Sequence, residues 1–392
     1  MHNWEICGEV IMVKRDERVL SQKIAILGYG ARFDLCGSCF GGESRTKHPL
    51  GHWIYPVTLP DGQRVNVLKI LLSNRCIHNC FYCVNRVDRC HKEAASFTAV
   101  ELVRLFATLY HQGMVRGLFL SSAVERDAAR TMTEMMKVVE ILRFKMQFRG
   151  YIHLKILPEV SADFIEEAVR LSTRVSVNLE APTPSALRCI APEKNFEDIW
   201  NTLRYLKCLK DKRVARFDFT TQFVVGASGE TDREIMQTTS LLYREMKLAR
   251  VYYSAFQPIA GTPFEDLPPT STWREHRLYQ ADFLLRRYGF GFEELCFDRE
   301  GNFPLTVDPK TSWAVRHPEF FPVEVNQAPF EALVRVPGIG PVSARKIMTI
   351  RVREPLTQPE ALKALGIQVE KALPFVLFRG KRFTRGLQLS LL

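Results

Sequence analysis

From residue 65 onward, apolar runs alternate with helical periodicity. Six runs rich in β-branched residues read as strands: Val65–Ser73, Gly117–Ser122, Tyr151–Leu157, Arg174–Glu180, Phe219–Gly226 and Val251–Pro258. Thr98–Gln112, Thr131–Met146, Ala162–Leu171, Phe196–Lys212, Thr231–Met246 and Thr272–Tyr288 carry helical spacing. Thr98 with Glu101, Thr131 with Glu134 and Thr231 with Glu234 fit the capping box, in which side chain and backbone at a helix start satisfy each other's N–H groups. Near-continuous apolar strands separated by helices predict a parallel sheet buried on both faces. Six βα units with right-handed crossovers predict an α/β fold, a partial (β/α)6 barrel over residues 65–290. Ligands in such folds sit at the C-terminal ends of the strands.

The flanks are less regular. Residues 1–64 form an N-terminal extension in which Ser21–Phe33 reads as a helix or as a strand followed by a turn. Gly289, Gly291, Gly301, Pro304, Pro309, Pro318 and Pro322 interrupt residues 289–322, so 291–322 reads as a connector. Residues 323–392 predict a small all-α domain.

Charge changes the picture at the C-terminus. Of the net +11, residues 321–392 supply +6, from 11 Lys and Arg against 5 Asp and Glu. That asymmetry points to a polyanionic partner, with a solvated surface as the plainer alternative. No run of 18 uninterrupted apolar residues occurs, so no membrane span is expected. The N-terminus lacks a basic segment followed by an apolar one, which predicts a cytoplasmic, reducing setting where cysteines serve as ligands rather than disulfides.

The cysteines concentrate the chemistry. Cys76, Cys80 and Cys83 stand at CxxxCxxC spacing just after the first strand, at the expected barrel mouth. Short spacings let one loop wrap an iron–sulfur cluster, and three ligands leave one iron of four open to substrate. A structural zinc knuckle is the alternative, but zinc ribbons want a second CxxC pair at useful spacing. Cys36 and Cys39 form a lone CxxC that would hold a second cluster with Cys7 or Cys90, or else be two loop thiols.

This motif, with Tyr82 before the third Cys, resembles the radical SAM signature. The resemblance extends to Leu68-Lys69-Ile70-Leu71-Leu72, Cys83-Val84-Asn85-Arg86, Gly150-Tyr151-Ile152-His153-Leu154-Lys155 and Ala191-Pro192-Glu193-Lys194. From about residue 20 the chain is similar to radical SAM proteins of the DNA modification or repair type, which often neighbour a uracil-DNA-glycosylase-like protein. The resemblance implies a [4Fe-4S] cluster on Cys76, Cys80 and Cys83. It implies S-adenosylmethionine on the open iron, cleaved by one electron from a donor such as flavodoxin or ferredoxin to a 5′-deoxyadenosyl radical.

The same resemblance places Tyr82 beside the adenine. Where the superfamily has a Gly-Gly-Glu-like stretch, this chain has Ser121-Ser122-Ala123, whose carbonyls would meet the cofactor. The third strand carries His153 and Lys155; Asn178 and Glu180, at the end of the fourth, alternate with apolar neighbours and should point into the barrel. Glu180 needs a buried partner, either the cofactor or Lys155. Gly226 opens a turn similar to those that approach the adenine and methionine parts. Some radical SAM methylases use a downstream Cys as methyl carrier; Cys296 is either that or an inert thiol.

In the tail, Pro337-Gly338-Ile339-Gly340 lies between helices expected near Pro329–Arg335 and Pro341–Ile350. This resembles the helix-hairpin-helix of DNA repair and uptake proteins. Both glycines would allow positive φ, leaving backbone N–H groups free for a phosphate. Gly338, Ile339, Gly340, Ser343, Arg345 and Lys346 are the expected DNA-binding residues, holding backbone without reading sequence. Basic Arg379, Lys381, Arg382 and Arg385 follow. Together the motifs imply a radical SAM enzyme acting on DNA. An RNA-modifying radical SAM enzyme and a DNA-binding iron–sulfur redox sensor without turnover are the alternatives.

Overall fold

The computed structural model describes residues 14–31, 53–58, 63–88 and 94–383. Cys7, Cys36, Cys39 and Cys90 lie outside the described residues, and with them the question of a second cluster. Contacts divide the chain into two units. The first is Met1–Glu180, Pro184–Phe223 and Leu248–Pro269; the second is Ala181–Thr183, Val224–Lys247 and Thr270–Leu392.

The element order is α1 (Lys14–Ala31), β1 (Ile54–Thr58), β2 (Arg64–Leu71), α2 (Ala99–His111), β3 (Gly117–Ser121), α3 (Ala128–Glu140), β4 (Tyr151–Lys155), α4 (Ala162–Leu171), β5 (Arg174–Ser176), α5 (Pro184–Ile190), α6 (Phe196–Asp211), β6 (Asp218–Val225), α7 (Asp232–Met246), β7 (Arg250–Ala255) and α8 (Thr272–Arg287). β1 to β7 form one sheet in sequence order. β2 onward is the expected α/β alternation, a curled parallel half-barrel; β1 adds an antiparallel edge, with Ile54 opposite Leu68.

Strand alternation gives the sheet two different faces. Ile70, Leu120, Leu154, Val175 and Phe219 stand side by side in register and are fully buried. The adjacent row on the opposite face is Lys69, Phe119, His153, Arg174 and Asp218. Cations there lie over rings: Lys69 Nζ is 5.1 Å from the Tyr55 centroid and 5.2 Å from that of Phe119. Ser121, Lys155, Ser176 and Thr220 continue the polar face toward the strand tips.

Several local differences from the sequence reading have physical causes. Ser21–Ala31 is helix, the end of α1. The capping boxes at Thr98 and Thr231 are present, but Thr131 caps nothing. Asp127 is the N-cap of α3 and accepts the Arg130 N–H, so Thr131 already lies in the first turn. The last turns expected of α3 widen into a π-helix, Ile141–Lys145. Arg143 there donates to the carbonyls of Leu171, Phe148 and Gly150 at 2.7, 2.6 and 3.0 Å. β5 stops at Ser176 instead of running to Glu180, because the Thr221 side chain replaces a rung. Its hydroxyl donates to the Val177 carbonyl at 2.7 Å and accepts the Leu179 N–H at 3.0 Å.

In the second unit, α9 (Pro309–Arg316) lies within the interrupted stretch. Pro309 is a starter there, because a helix's first turn needs no N–H from it. There follow β8 (Val323–Glu324), α10 (Phe330–Arg335), α11 (Pro341–Ile350), α12 (Pro359–Ala364), α13 (Val369–Ala372) and β9 (Val376–Leu377), with β8 and β9 paired in parallel. Leu333, Val336, Ile339, Ala344, Ile347, Leu362, Ala372 and Val376 form their shared core. No helix among the described residues is long and apolar enough to cross a membrane.

Candidate metal centre and cofactor pocket

The cysteine loop leaves the tip of β2 and is pinned on both sides by backbone. Toward β3, the Leu72 N–H donates to the Ser121 carbonyl and the Ile77 N–H to the Val124 carbonyl, both at 2.8 Å. Toward α5, the Phe81 N–H donates to the Ile190 carbonyl at 2.8 Å. Within the loop, the Val87 N–H reaches the His78 carbonyl at 3.0 Å, and Arg86 donates twice to Asn79 Oδ1 at 3.2 and 2.9 Å. The chain doubles back on itself and brings the three thiols into one another's field.

Cys80 is buried; Cys76 and Cys83 are half-buried. Burial pushes the Cys80 thiol up and the Cys83 thiol to about 12, the neighbouring cysteines adding to both. Thiols raised in this way keep their protons at neutral pH until a cationic centre draws them off as it binds. The Asn85 N–H already points at Cys83 Sγ, at 3.4 Å.

Behind the loop lies a buried ion pair. Lys194 Nζ donates to Glu180 Oε1 at 2.7 Å, so Glu180 has a buried partner in Lys194. Burial opposes the Lys194 charge, but Glu180 together with Cys80 and Cys83 outweighs it and the ammonium's pKa rises. The Tyr82 phenol is pushed well above its usual range by burial, and next by the nearby Glu180 carboxylate. Tyr82, Glu180, Cys80 and Cys83 therefore share one pocket with Lys194. Ser121 is buried on the polar face of β3, and the Ser122 hydroxyl donates to the Ala123 carbonyl at 2.7 Å. Lys155 and Asn178 are half-buried near the tips of β4 and β5. Gly226 follows β6 with φ of 89°; a Cβ there would lie 2.0 Å from Thr270 Oγ1, and its N–H donates to the Glu230 carboxylate.

Two residues of this pocket escaped sequence reasoning. Glu193 and Lys194 follow α5, a helix with no periodic signal in its seven residues. Glu193 Oε2 accepts the Asn79 N–H at 2.9 Å and lies 3.5 Å from His78 Nδ1. Only the run Ala191-Pro192-Glu193-Lys194 marked them, and spacing gives no hint that residue 194 returns to residue 180.

The tail residues fall into two groups. Ile339 is fully buried and its N–H is spent on the Val336 carbonyl at 3.1 Å. Gly338 has φ of 81°, and a Cβ on it would lie 2.7 Å from the Gln368 carbonyl oxygen. Gly340 is not left-handed: φ is −96°, and its need for no side chain comes from the Tyr288 hydroxyl, 3.1 Å from where a Cβ would stand. Ser343 is half-buried, while Arg345 and Lys346 are exposed, Arg345 lying 5.4 Å from the Phe330 ring centre. Cys296 is buried, its thiol raised by burial and pulled back by Arg316.

The residues fit a cluster. Three thiols share one loop, and a backbone N–H is aimed at a sulfur. Among the described residues, no three His, Cys, Asp or Glu donors converge on a single-ion position. Thiolates on a cluster each bind a separate iron, so the trio needs no such convergence. Residues 70–242, which include the loop and the Glu180–Lys194 pair, match the family model for the radical SAM superfamily. Threonylcarbamoyladenosine tRNA methylthiotransferase of Thermotoga maritima is 21% identical over 198 residues, 50% of this chain and 44% of that protein. The Danio rerio protein of that name is 28% identical over 217 residues, 52% of this chain and 38% of its own. The chain thus spans less than half the length of these relatives. Among solved structures, methylornithine synthase is 15% identical, with a TM-score of 0.46, covering 55% of this chain and 60% of that one. Residues 70–242 are accordingly a radical SAM domain, whose cofactors are a [4Fe-4S] cluster and S-adenosylmethionine.

Proposed function

We propose that this chain is a radical SAM enzyme whose substrate is a nucleic acid, with structured RNA as the class best supported. The observation that carries the reading is the domain itself. It holds the cysteine loop and the buried Glu180–Lys194 pair, and the relatives that share half the chain are named for tRNA adenosine modification. Bound together, cluster and S-adenosylmethionine supply one-electron cleavage and hydrogen abstraction. Cys76, Cys80 and Cys83 would hold the cluster. Tyr82, Glu180 and Lys194 form a polar wall beside it; Lys194 suits a carboxylate and Glu180 an ammonium or a ribose hydroxyl. Ser121, Ser122, Lys155 and Asn178 remain the proposed lining toward the strand tips. An electron donor such as flavodoxin or ferredoxin would complete the system.

The second unit supports a backbone contact. Arg345 and Lys346 are exposed in the helix that follows the Pro337–Gly340 turn. Such contacts carry affinity without sequence and suit an RNA stem as well as a DNA duplex. DNA is the second reading, favoured by the likeness of this turn to the helix-hairpin-helix; a uracil-DNA-glycosylase-like partner goes with it alone.

The test is anaerobic incubation of the reduced, reconstituted protein with S-adenosylmethionine and bulk tRNA, duplex DNA or neither. Release of 5′-deoxyadenosine should be fastest with tRNA. Equal rates in all three would overturn the nucleic-acid assignment, and stimulation by DNA alone would move it to the second reading.

A further inference from the structure

Glu193 sits on the turn after α5, three residues beyond the cysteine loop's own contact at Ile190 and one residue before Lys194. Its carboxylate accepts the Asn79 N–H at 2.9 Å and stands 3.5 Å from His78 Nδ1. Asn79 immediately precedes Cys80, and His78 lies midway between Cys76 and Cys80. The other end of Asn79 is taken as well, because its Oδ1 accepts two Arg86 donors. Backbone bonds hold Ile77 and His78 in the segment between the first two cysteines, and Glu193, from a distant part of the chain, supplies the side chain that holds the Asn79 N–H.

We propose that Glu193 is a positioning residue for the cluster. It holds the Cys76–Cys80 segment in the shape that receives iron, acting through the Asn79 N–H and not through contact with the metal. The inference rests on the radical SAM reading of the trio. Three observations point the same way. The hydrogen bond bridges residues 114 apart in sequence, so it closes the loop from outside. The next residue, Lys194, turns into the pocket to meet Glu180, which anchors the turn that Glu193 rides on. The neighbouring Ile190 carbonyl takes the Phe81 N–H, so the turn grips the loop on both sides of Cys80. Groups that orient metal ligands without touching the metal commonly set metal affinity by about ten- to a hundredfold when buried. Glu193 is 47% exposed, which argues for the low end of that range and also means its replacement leaves no cavity.

The experiment compares Glu193→Ala, Glu193→Asp and Glu193→Gln in the full chain. Each is reconstituted with iron and sulfide and measured for cluster loss to a chelator, for cluster midpoint potential, and for thermal unfolding of the cluster-free form. The shorter Asp cannot reach the Asn79 N–H, whereas Gln keeps an acceptor there. Ala and Asp should lose the cluster about three- to tenfold faster than the parent with the unfolding temperature of the cluster-free form unchanged, and Gln should restore near-parent retention. Parent-like retention and potential in Ala would overturn the proposal. So would a Gln variant as leaky as Ala, since that would make the charge beside His78 the agent. None of these readouts involves a nucleic acid, so a failure here is distinct from failure of the substrate assignment. A parent chain that binds no cluster at all would instead sink the reading of the trio.

Discussion

Lys194 Nζ lies 2.7 Å from Glu180 Oε1, and Glu180 holds its end of the pair from a left-handed backbone with φ of 66°. That conformation costs a non-glycine residue about 1–2 kcal/mol, offset here by what the carboxylate reaches. Past the end of β5, Glu180 still bridges Phe223 of β6 in parallel, and from that left-handed turn its side chain reaches Lys194.

Breaking this pair from one side strands a buried charge. Lys194→Met should lower the stability of the first unit by about 3–5 kcal/mol in urea unfolding, and Glu180→Gln should act in the same direction. The double variant should recover part of the loss, since it leaves no unpaired charge. A Lys194→Met protein as stable as the parent would contradict the buried pair.

Much of this was legible in the chain itself. Strand positions follow from apolar runs whose two faces are both buried, as the consecutive, opposite-facing Val67 and Leu68 show. Thr98 and Thr231 announce their helices because caps are local chemistry. What periodicity could not show is where side chains return from afar. Glu180 alternates correctly for a barrel interior, yet its partner is fixed by a short helix and a turn that carry no periodic signal. Thr221 ends β5 through one hydroxyl, an event invisible in a β-branched strand. Pro309 reads as a breaker until Asp308 before it is seen to cap a helix, accepting the Thr311 N–H at 2.9 Å.

The thiols divide by role. Cys76→Ala, Cys80→Ala and Cys83→Ala should each cut iron per chain to near zero after anaerobic reconstitution, because two thiolates do not hold a cluster. Cys208→Ala and Cys296→Ala should leave iron content unchanged. Iron and sulfide assays check both halves, and full loading of any of the first three variants would refute the ligand assignment.

Lys310 gives the second unit a pH signature. It is buried in α9, donates to the Ile339 carbonyl at 2.5 Å and lies 4.7 Å from the Tyr288 ring centre. Burial drops its ammonium to about 7, with Asp308 pulling the other way. Between that value and the ordinary lysine range the unfolded chain binds a proton that the folded one does not, so stability rises with pH above about 7. The slope from this group is at most about 1.4 kcal/mol per pH unit. Denaturant unfolding at pH 7 and pH 9 should show this rise in the parent relative to Lys310→Met. Parallel pH profiles in the two proteins would contradict it.

Arg345 and Lys346 should contribute to nucleic-acid affinity without contributing to choice of sequence. Replacing both by Ala should weaken binding to unrelated RNA stems about equally and reduce the slope of log affinity against log salt by about 1.5–2. An unchanged salt slope would remove these two residues from the interface. Parallel titrations with matched DNA duplexes decide which polymer is held more tightly.

Electron paramagnetic resonance of the reduced, reconstituted protein with and without S-adenosylmethionine tests the open iron beside Cys76, Cys80 and Cys83 most directly. A cluster signal should appear, change shape when S-adenosylmethionine is added, and vanish in Cys80→Ala. A cluster signal that saturating S-adenosylmethionine leaves unaltered would contradict an open coordination position.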